Sequence, residues 1–229
     1  MKKKWLIIII VIFLLVIGIG ITVLWQNGKT KERTYSYQKY ESKKVIESPS
    51  GLIEKLLFDD FPTLVNHSDA VVKGKVLSVD FINVKGFAWT KIKFHIDKTI
   101  IGDIKSDTDI EVYMMGGYIS LEEHIKYNDD AKRFKYLSED EIKNTVIKET
   151  IEDEKEFIKE DEKLILCIVE SSDYSPFPKG TYERLYSSGM LKLKDGKYTQ
   201  LYGEVEEKYS IDANKVSDIE KLVSKKSSN

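Results

Sequence analysis

Cysteine is almost missing from this chain of 229 residues, which has a single one, Cys167. One cysteine excludes an intramolecular disulfide and any zinc site built from a cysteine cluster. Secreted animal domains of this size usually carry disulfides, whereas exported bacterial domains often lack them, so the count favours a bacterial source. The surrounding segment 164–169 is otherwise apolar, which indicates a buried, inert thiol of raised pKa rather than a nucleophile.

An excess of positive charge is also lacking. The formal net charge is −2, from 36 Lys and Arg against 38 Asp and Glu. Without the three lysines at positions 2–4, the rest of the chain carries −2 minus 3, or −5. This balance argues against nucleic acid as a partner, because nucleic-acid binding needs a basic patch. Net charge alone would not draw the chain to anionic lipid or wall polymers either.

Signatures of catalysis and metal binding are equally scarce. The three histidines, His67, His95 and His124, show no metal-pair spacing and no H-E-x-x-H motif, and surface positions are the more common case. No G-x-S-x-G elbow precedes a helix, and the spaced oxygens of a calcium loop are missing. We therefore predict no catalytic residue, no cofactor and no metal site.

A long apolar run is present near the N-terminus, over residues 6–24. Nineteen helical residues span about 28 Å, close to the thickness of the hydrocarbon core. Trp5 and Trp25 bracket the run as interfacial aromatics do, and the lysines before it place the N-terminus in the cytoplasm. We predict a cytoplasmic N-terminus at 1–4, a single transmembrane anchor at 5–25, and an extracytoplasmic remainder at the cell membrane.

Two alternatives account for the same run. A cleaved signal peptide has an apolar region of about 7–15 residues and a small-x-small cleavage site, whereas this run is longer and Trp25-Gln26-Asn27 offers no such site. A buried core helix is the second alternative, but a helix apolar on every side does not suit so small a domain. The uncleaved anchor is therefore preferred.

The rest of the chain predicts a stalk and one domain. Residues 26–48 are polar and lysine-rich, which indicates a stalk, and the domain occupies 49–229. Ser48-Pro49 predicts the start of a helix, and Asp212 the start of a C-terminal one. Residues 118–162 are charged and mostly helical in pattern, with Ser138 and Glu141 resembling a capping box. They predict a helical insertion packed beside the sheet, with a binding lid as the alternative.

From residue 70 onward the pattern is that of strands. Alternating or continuous apolar positions predict strands at 70–79, 90–96, 110–114, 164–169, 190–193 and 198–202. Asp195-Gly196 predicts a tight hairpin between the last two, and Gly74 predicts a bend or bulge. The fold class expected is mainly β with flanking helices (α+β), arranged as a small closed or partly open barrel.

The order of these motifs resembles a known family. The first motifs are a strand at 68–76, a threonine-led strand at 90–96 and a turn at Ile101-Gly102-Asp103. They are followed by a strand that ends at Gly117, a turn at 160–163 and an apolar strand at 164–169. The pattern is similar to uncharacterised membrane-anchored extracytoplasmic proteins of low-GC Gram-positive bacteria. Their domain resembles the OB-like barrel of netrin modules and of tissue inhibitors of metalloproteinases.

This resemblance covers roughly residues 68–202 and implies a small OB-like β-barrel with a helical insertion, preceded by one transmembrane helix. The inhibitor family needs disulfides and an N-terminal cysteine to reach zinc, and this chain has neither. Metalloprotease inhibition is therefore not implied.

Two functions from different classes remain open. OB-like barrels often bind extended ligands across one sheet face with exposed aromatics, for which Tyr113, Tyr118, Tyr198 and Tyr202 are the candidate binding surface. We predict a non-catalytic, membrane-tethered binding or accessory module for a cell-surface protein or glycan. The alternative is a cell-surface or cell-wall hydrolase with an unrecognised acidic site. Carboxylates clustered around a cleft would favour the enzyme, and a flat aromatic or apolar patch would favour the binder.

Overall fold

The computed structural model describes residues 40, 43–49, 61–128, 131–150, 157–186, 188–200 and 208–224. All of them belong to one compact unit, Tyr40–Asn229. The predicted anchor at 5–25 and most of the predicted stalk lie outside the described residues. Within those ranges, no helix has the length and apolar character that crossing a membrane requires.

Strands dominate the described residues. Eleven are present: β1 (Lys44–Pro49), β2 (Ala70–Val84), β3 (Phe87–Ile101), β4 (Thr108–Met115), β5 (Gly117–Ser120), β6 (Thr145–Thr150), β7 (Lys163–Glu170), β8 (Tyr182–Arg184), β9 (Met190–Lys194), β10 (Lys197–Gln200) and β11 (Ser210–Asp212). The mainly β character expected from the sequence is confirmed.

Five of these strands close into a barrel. β2, β3 and β4 form an antiparallel meander, and β7 pairs antiparallel with β2. The short strand β8 completes the ring, because it pairs antiparallel with β7 and parallel with β4. Alternate residues of each strand fill the interior, including Ile92, Phe94, Val112 and Leu166. The predicted small closed barrel is therefore confirmed.

The pairing of β2 with β3 depends on Gly74. The pairing of β2 with β3 shifts register between Lys73 and Gly74, which marks a bulge or similar irregularity. A Cβ atom on Gly74 would lie 1.9 Å from the carbonyl oxygen of His95, closer than any side chain is tolerated. Only glycine allows the two backbones to approach this closely, and the register shift agrees with the bend or bulge that the sequence predicted at this residue.

A second apolar core lies outside the barrel. β9, β10 and β11 extend the sheet from β7, and the turn Asp195-Gly196 joins β9 to β10 with both φ angles positive, as predicted for this hairpin. Side chains from the sheet pack here with those of three short helical segments: α1 (Phe61–His67), a 3₁₀ helix (Val216–Ile219) and α4 (Glu220–Ser224). Cys167 is buried in this core, and burial raises the pKa of its thiol.

The C-terminal segment departs from the predicted continuous helix. Asp212 ends β11, and the helical structure begins only at Val216. The first turn is 3₁₀ and the second is α-helical.

The insertion between β4 and β7 is not purely helical, which corrects the expectation for 118–162. It holds α2 (Leu121–Tyr127), a 3₁₀ helix (Ala131–Phe134) and α3 (Glu139–Lys143), but also β5 and β6. Residues 145–150 pair with both β5 and β1, so strand pairing prevails over the helical pattern. The capping box of Ser138 and Glu141 is present at the start of α3.

The boundary of the predicted stalk is also corrected. Residues 44–49 form β1, which pairs in parallel with β6, so the fold begins before residue 49. Ser48 and Pro49 are the last residues of this strand, and the helix predicted to follow them lies outside the described residues. Tyr40 belongs to the fold as well, because its ring stacks on that of Tyr118 at a centroid distance of 5.6 Å.

Candidate functional site

The outer face of β3 and β4 carries a regular set of charged side chains. Because the apolar residues at alternate positions point into the barrel, the intervening residues of both strands point outward. The pairing register places Lys93 opposite Glu111 and His95 opposite Asp109. We call this surface the ladder face and define it by five side chains: Lys91, Lys93, His95, Asp109 and Glu111.

Opposite charges on the ladder face are paired across the two strands. The Nζ atom of Lys91 lies 2.6 Å from a carboxylate oxygen of Glu111, and that of Lys93 lies 2.8 Å from Asp109. His95 Nδ1 lies 2.8 Å from the other oxygen of Asp109. Such exposed pairs contribute about 0–1 kcal/mol each to stability. Their main consequence is therefore a polar surface with alternating, mutually neutralised charges.

These contacts shift the pKa values of the two carboxylates and of the histidine on the ladder face. The hydrogen bond from Lys93, followed by that from His95, lowers the pKa of Asp109. The hydrogen bond from Lys91 lowers the pKa of Glu111 in the same way. His95 shows the complementary effect, because its hydrogen bond to Asp109 raises the pKa of the imidazole. Both carboxylates are consequently ionised near neutral pH and have no proton to donate.

An aromatic contact covers one end of the ladder face. The loop between β7 and β8 (residues 171–181, called the β7–β8 loop) places the ring of Phe177 flat on Tyr113, with centroids 4.0 Å apart. The same ring meets Trp89 edge-on at 4.8 Å. Lys91 lies over the Tyr113 ring at 5.9 Å, within cation–π range. The loop is thereby joined to the end of the ladder face.

The three described members of the predicted tyrosine surface do not form an exposed surface, and this is a correction. Tyr113 is only 4% exposed because Phe177 covers it, and Tyr198 is 1% exposed because it lies in the second apolar core. Tyr118 is half-buried among the rings of Tyr40, Phe81 and Phe157. Tyr202 lies outside the described residues. The three described tyrosines therefore contribute to packing.

A histidine–carboxylate contact, largely shielded from solvent, lies within the insertion beside the barrel. His124 of α2 and Glu149 of β6 approach to 3.5 Å, with side-chain exposures of 12% and 7%. The other oxygen of Glu149 accepts a hydrogen bond of 2.7 Å from the backbone N–H of Ala88 on β3. Asn128, which follows α2, donates to the carbonyl of Gly86 in the β2–β3 turn. These polar contacts attach the insertion to one hairpin of the barrel.

The histidines occupy three unlike environments. His67 is exposed at the end of α1, and His95 belongs to the ladder face. His124 is largely shielded from solvent beside Glu149, unlike the surface position that is usual for histidine. Among the residues the structure describes, no three side chains of the metal-ligating types come together. Sequence reasoning missed the His124–Glu149 pair because the two residues lie on different elements.

Comparison with protein-family models, with curated proteins and with solved structures finds no match to this chain. The site must accordingly be interpreted from its own chemistry.

Proposed function

We propose that the chain is a membrane-tethered, extracytoplasmic binding module that takes its ligand on the ladder face and the adjoining β7–β8 loop. The observation that carries this proposal is the ladder face itself, a row of half-buried to exposed paired charges on the outer side of the barrel, which ends at a loop anchored by Phe177. The tether is the apolar run at 6–24, with its flanking tryptophans and preceding lysines.

The position of the ladder face in the barrel supports binding there. OB-like modules bind extended ligands on the face of their second and third strands and on adjoining loops. In this barrel the second and third strands are β3 and β4, which carry the ladder. We include in the proposal that the barrel is OB-like and related to the membrane-anchored extracytoplasmic proteins of low-GC Gram-positive bacteria.

Hydrolysis is the alternative function, and the ladder face argues against it. A hydrolase with two carboxyl groups needs one whose pKa is raised, so that it remains protonated and can act as a general acid. Hydrogen bonds lower the pKa of Asp109 and of Glu111 instead. The buried Glu149 accepts a backbone hydrogen bond, which is a structural role.

The paired charges also indicate the class of ligand. Both lysines of the ladder face already contact a carboxylate, so a polyanion would have to displace one of these contacts to bind. Such a surface does not suit nucleic acid, in agreement with the −5 charge of the chain beyond its first lysines. A cell-surface protein or glycan, which offers donors and acceptors together, fits better.

The test is complementation of a deletion strain with the full chain. The double variant Lys91→Gln/Lys93→Gln should lower complementation at least tenfold, since it leaves Glu111 and Asp109 without their ammonium partners. Lys215→Gln/Lys221→Gln is the control, because it makes the same charge change at exposed positions in the C-terminal segment. Equal behaviour of the two double variants would refute the assignment of the ladder face.

Two further variants in the same complementation assay distinguish a binding role from a catalytic one. Asp109→Asn and Glu111→Gln change one atom each and should each cause only a graded loss, as expected for one contact among several. Complete loss of function in either folded variant would establish an acidic catalytic site instead.

The tether is tested separately by protease added outside intact cells. Everything beyond Trp25 should be digested, because the domain lies outside. Protection of the C-terminal region would contradict the orientation, and a mature protein starting near Gln26 would contradict the anchor.

A further inference from the structure

The tip of the β7–β8 loop presents a single aromatic ring to solvent. Tyr174 is 99% exposed, the highest value among the large hydrophobic side chains that the structure describes. An isolated exposed aromatic residue on a loosely held segment would carry little information. What matters is therefore how firmly the loop holds this ring.

Several contacts fix the loop from its base to its tip. At the base, the hydroxyl groups of Ser171 and Thr181 lie 3.1 Å apart, and the backbone N–H of Ser171 donates to the carbonyl of Thr181. Across the middle, Lys179 Nζ lies 2.7 Å from Asp173. Phe177 anchors the loop to the barrel by its ring contacts with Tyr113 and Trp89.

Local hydrogen bonds set the tip itself. The backbone N–H of Tyr174 donates to the Ser172 hydroxyl, and that of Phe177 donates to the Ser175 hydroxyl. Pro176 and Pro178, on either side of Phe177, further restrict the backbone. The loop is thus ordered before it meets any partner, and this reduces the entropic cost of binding.

We propose that the β7–β8 loop is a docking element for a folded protein partner, whose concave apolar pocket receives the ring of Tyr174. This inference rests on the proposed binding function and names the class of partner. Tyrosine is enriched among the residues that dominate protein interfaces, where such side chains fill pockets of the partner.

The full exposure of the Tyr174 ring favours a folded protein as the partner. A ring that is 99% exposed has no wall of its own chain behind it, so only a partner with a cavity can bury both of its faces. A glycan stacks on a ring that lies flat on the protein surface, which this ring does not. The charges beside the tip, Asp173 and Lys179, neutralise each other, so the described residues of the β7–β8 loop form no basic patch that would attract anionic lipid.

The first stage of the test uses the full chain in living cells. A photo-crosslinking phenylalanine analogue replaces either Tyr174 or Tyr136, a control residue that lies between the 3₁₀ helix and α3 of the insertion and is 72% exposed. We expect a discrete adduct with another polypeptide from position 174 and none from position 136. An adduct with lipid, an adduct with a second copy of the chain, or no adduct at position 174 would each overturn the proposal.

The second stage measures affinity between the purified full chain in detergent and the polypeptide identified by crosslinking. Tyr174→Ala should weaken binding about 30-fold, the usual threshold effect of an interface hot spot. Tyr174→Phe, which keeps the ring, and Tyr136→Ala should each stay within about threefold of the unmodified chain, a change below that threshold. Unchanged affinity in Tyr174→Ala would overturn the docking role.

The ladder-face variant separates this inference from the proposed function. Binding that is weakened by Lys91→Gln/Lys93→Gln but not by Tyr174→Ala would leave the binding function standing and remove the docking loop. Binding that neither variant changes would contradict both.

Discussion

Replacing Gly74 with alanine tests how far the barrel depends on the bulge in β2. The new Cβ would lie 1.9 Å from the His95 carbonyl oxygen and 2.9 Å from an edge carbon of the Phe94 ring. An ordinary carbon–oxygen contact is about 3.3 Å or longer, so the two backbones must separate by roughly 1.4 Å. A movement of that size breaks a hydrogen bond between β2 and β3, because these bonds lengthen beyond their useful range of about 2.7–3.2 Å.

The free-energy cost follows from two contributions. Overpacking a close-packed site costs about 1–3 kcal/mol. A buried donor or acceptor that loses its partner adds about 1–3 kcal/mol. We therefore expect Gly74→Ala to lower the free energy of unfolding by about 2–6 kcal/mol, a large share of the roughly 5–15 kcal/mol that keeps a domain folded.

The assay is thermal and urea unfolding of the full chain in detergent, followed by far-ultraviolet circular dichroism. Gly196→Ala is the control, because its φ of +78° strains an alanine but its Cβ meets nothing within 4 Å. That variant should lose only about 1–2 kcal/mol, the cost of a left-handed residue. A loss below about 1 kcal/mol in Gly74→Ala, or equal losses in both variants, would contradict the dependence of the barrel on close backbone approach.

Three further predictions concern titratable side chains. The hydrogen bond that His95 donates to Asp109 raises the pKa of the imidazole above its usual 6.5, so the stability that this contact contributes is fully present below about pH 6.5 and is lost as pH rises through the folded-state pKa. The difference in Tm between the unmodified chain and His95→Gln should therefore shrink from about pH 6 to about pH 8. Because burial raises the pKa of the Cys167 thiol, a maleimide should label the native chain far more slowly than the unfolded chain. Cys167→Ala leaves a small cavity and should lower the free energy of unfolding, measured in urea, by about 1 kcal/mol. Glu149→Ala leaves the N–H of Ala88 without its acceptor and should lower the free energy of unfolding by about 1–3 kcal/mol, whereas a loss below about 0.5 kcal/mol would contradict a structural role.

The sequence correctly predicted those elements whose pattern lies within the element itself. The alternation over 90–96 predicts the outward lysines and inward apolar side chains of β3, and Asp195-Gly196 predicts the β9–β10 turn. Gly74 marks the bulge because a glycine within a strand usually lies where the chain bends or where another backbone approaches closely. Each of these signals lies within a few residues of the structure that it predicts.

The missed elements depend on partners distant in sequence. β8 has only three residues, too few for any alternation to be recognised, yet it closes the barrel. β1 carries a serine–proline pair typical of a helix start, and that local signal does not reveal its pairing with β6. The alternation around Tyr113 places its ring on the outer face, but cannot reveal that Phe177 from another loop covers it.

The parallel pairing of β1 with β6 determines where the chain can be shortened. β1 lies at the edge of the three-stranded sheet, with β6 in the middle and β5 on the other side. A truncated protein that begins after Pro49 would leave the backbone groups of β6 on that side without their strand, and an open edge of this kind recruits strands from other molecules. Two such truncated copies would associate through their open β6 edges, and a truncated copy supplied with a peptide of residues 44–49 would bind it in place of β1. A soluble form that stays monomeric must therefore begin at or before Tyr40, so that each molecule covers its own edge.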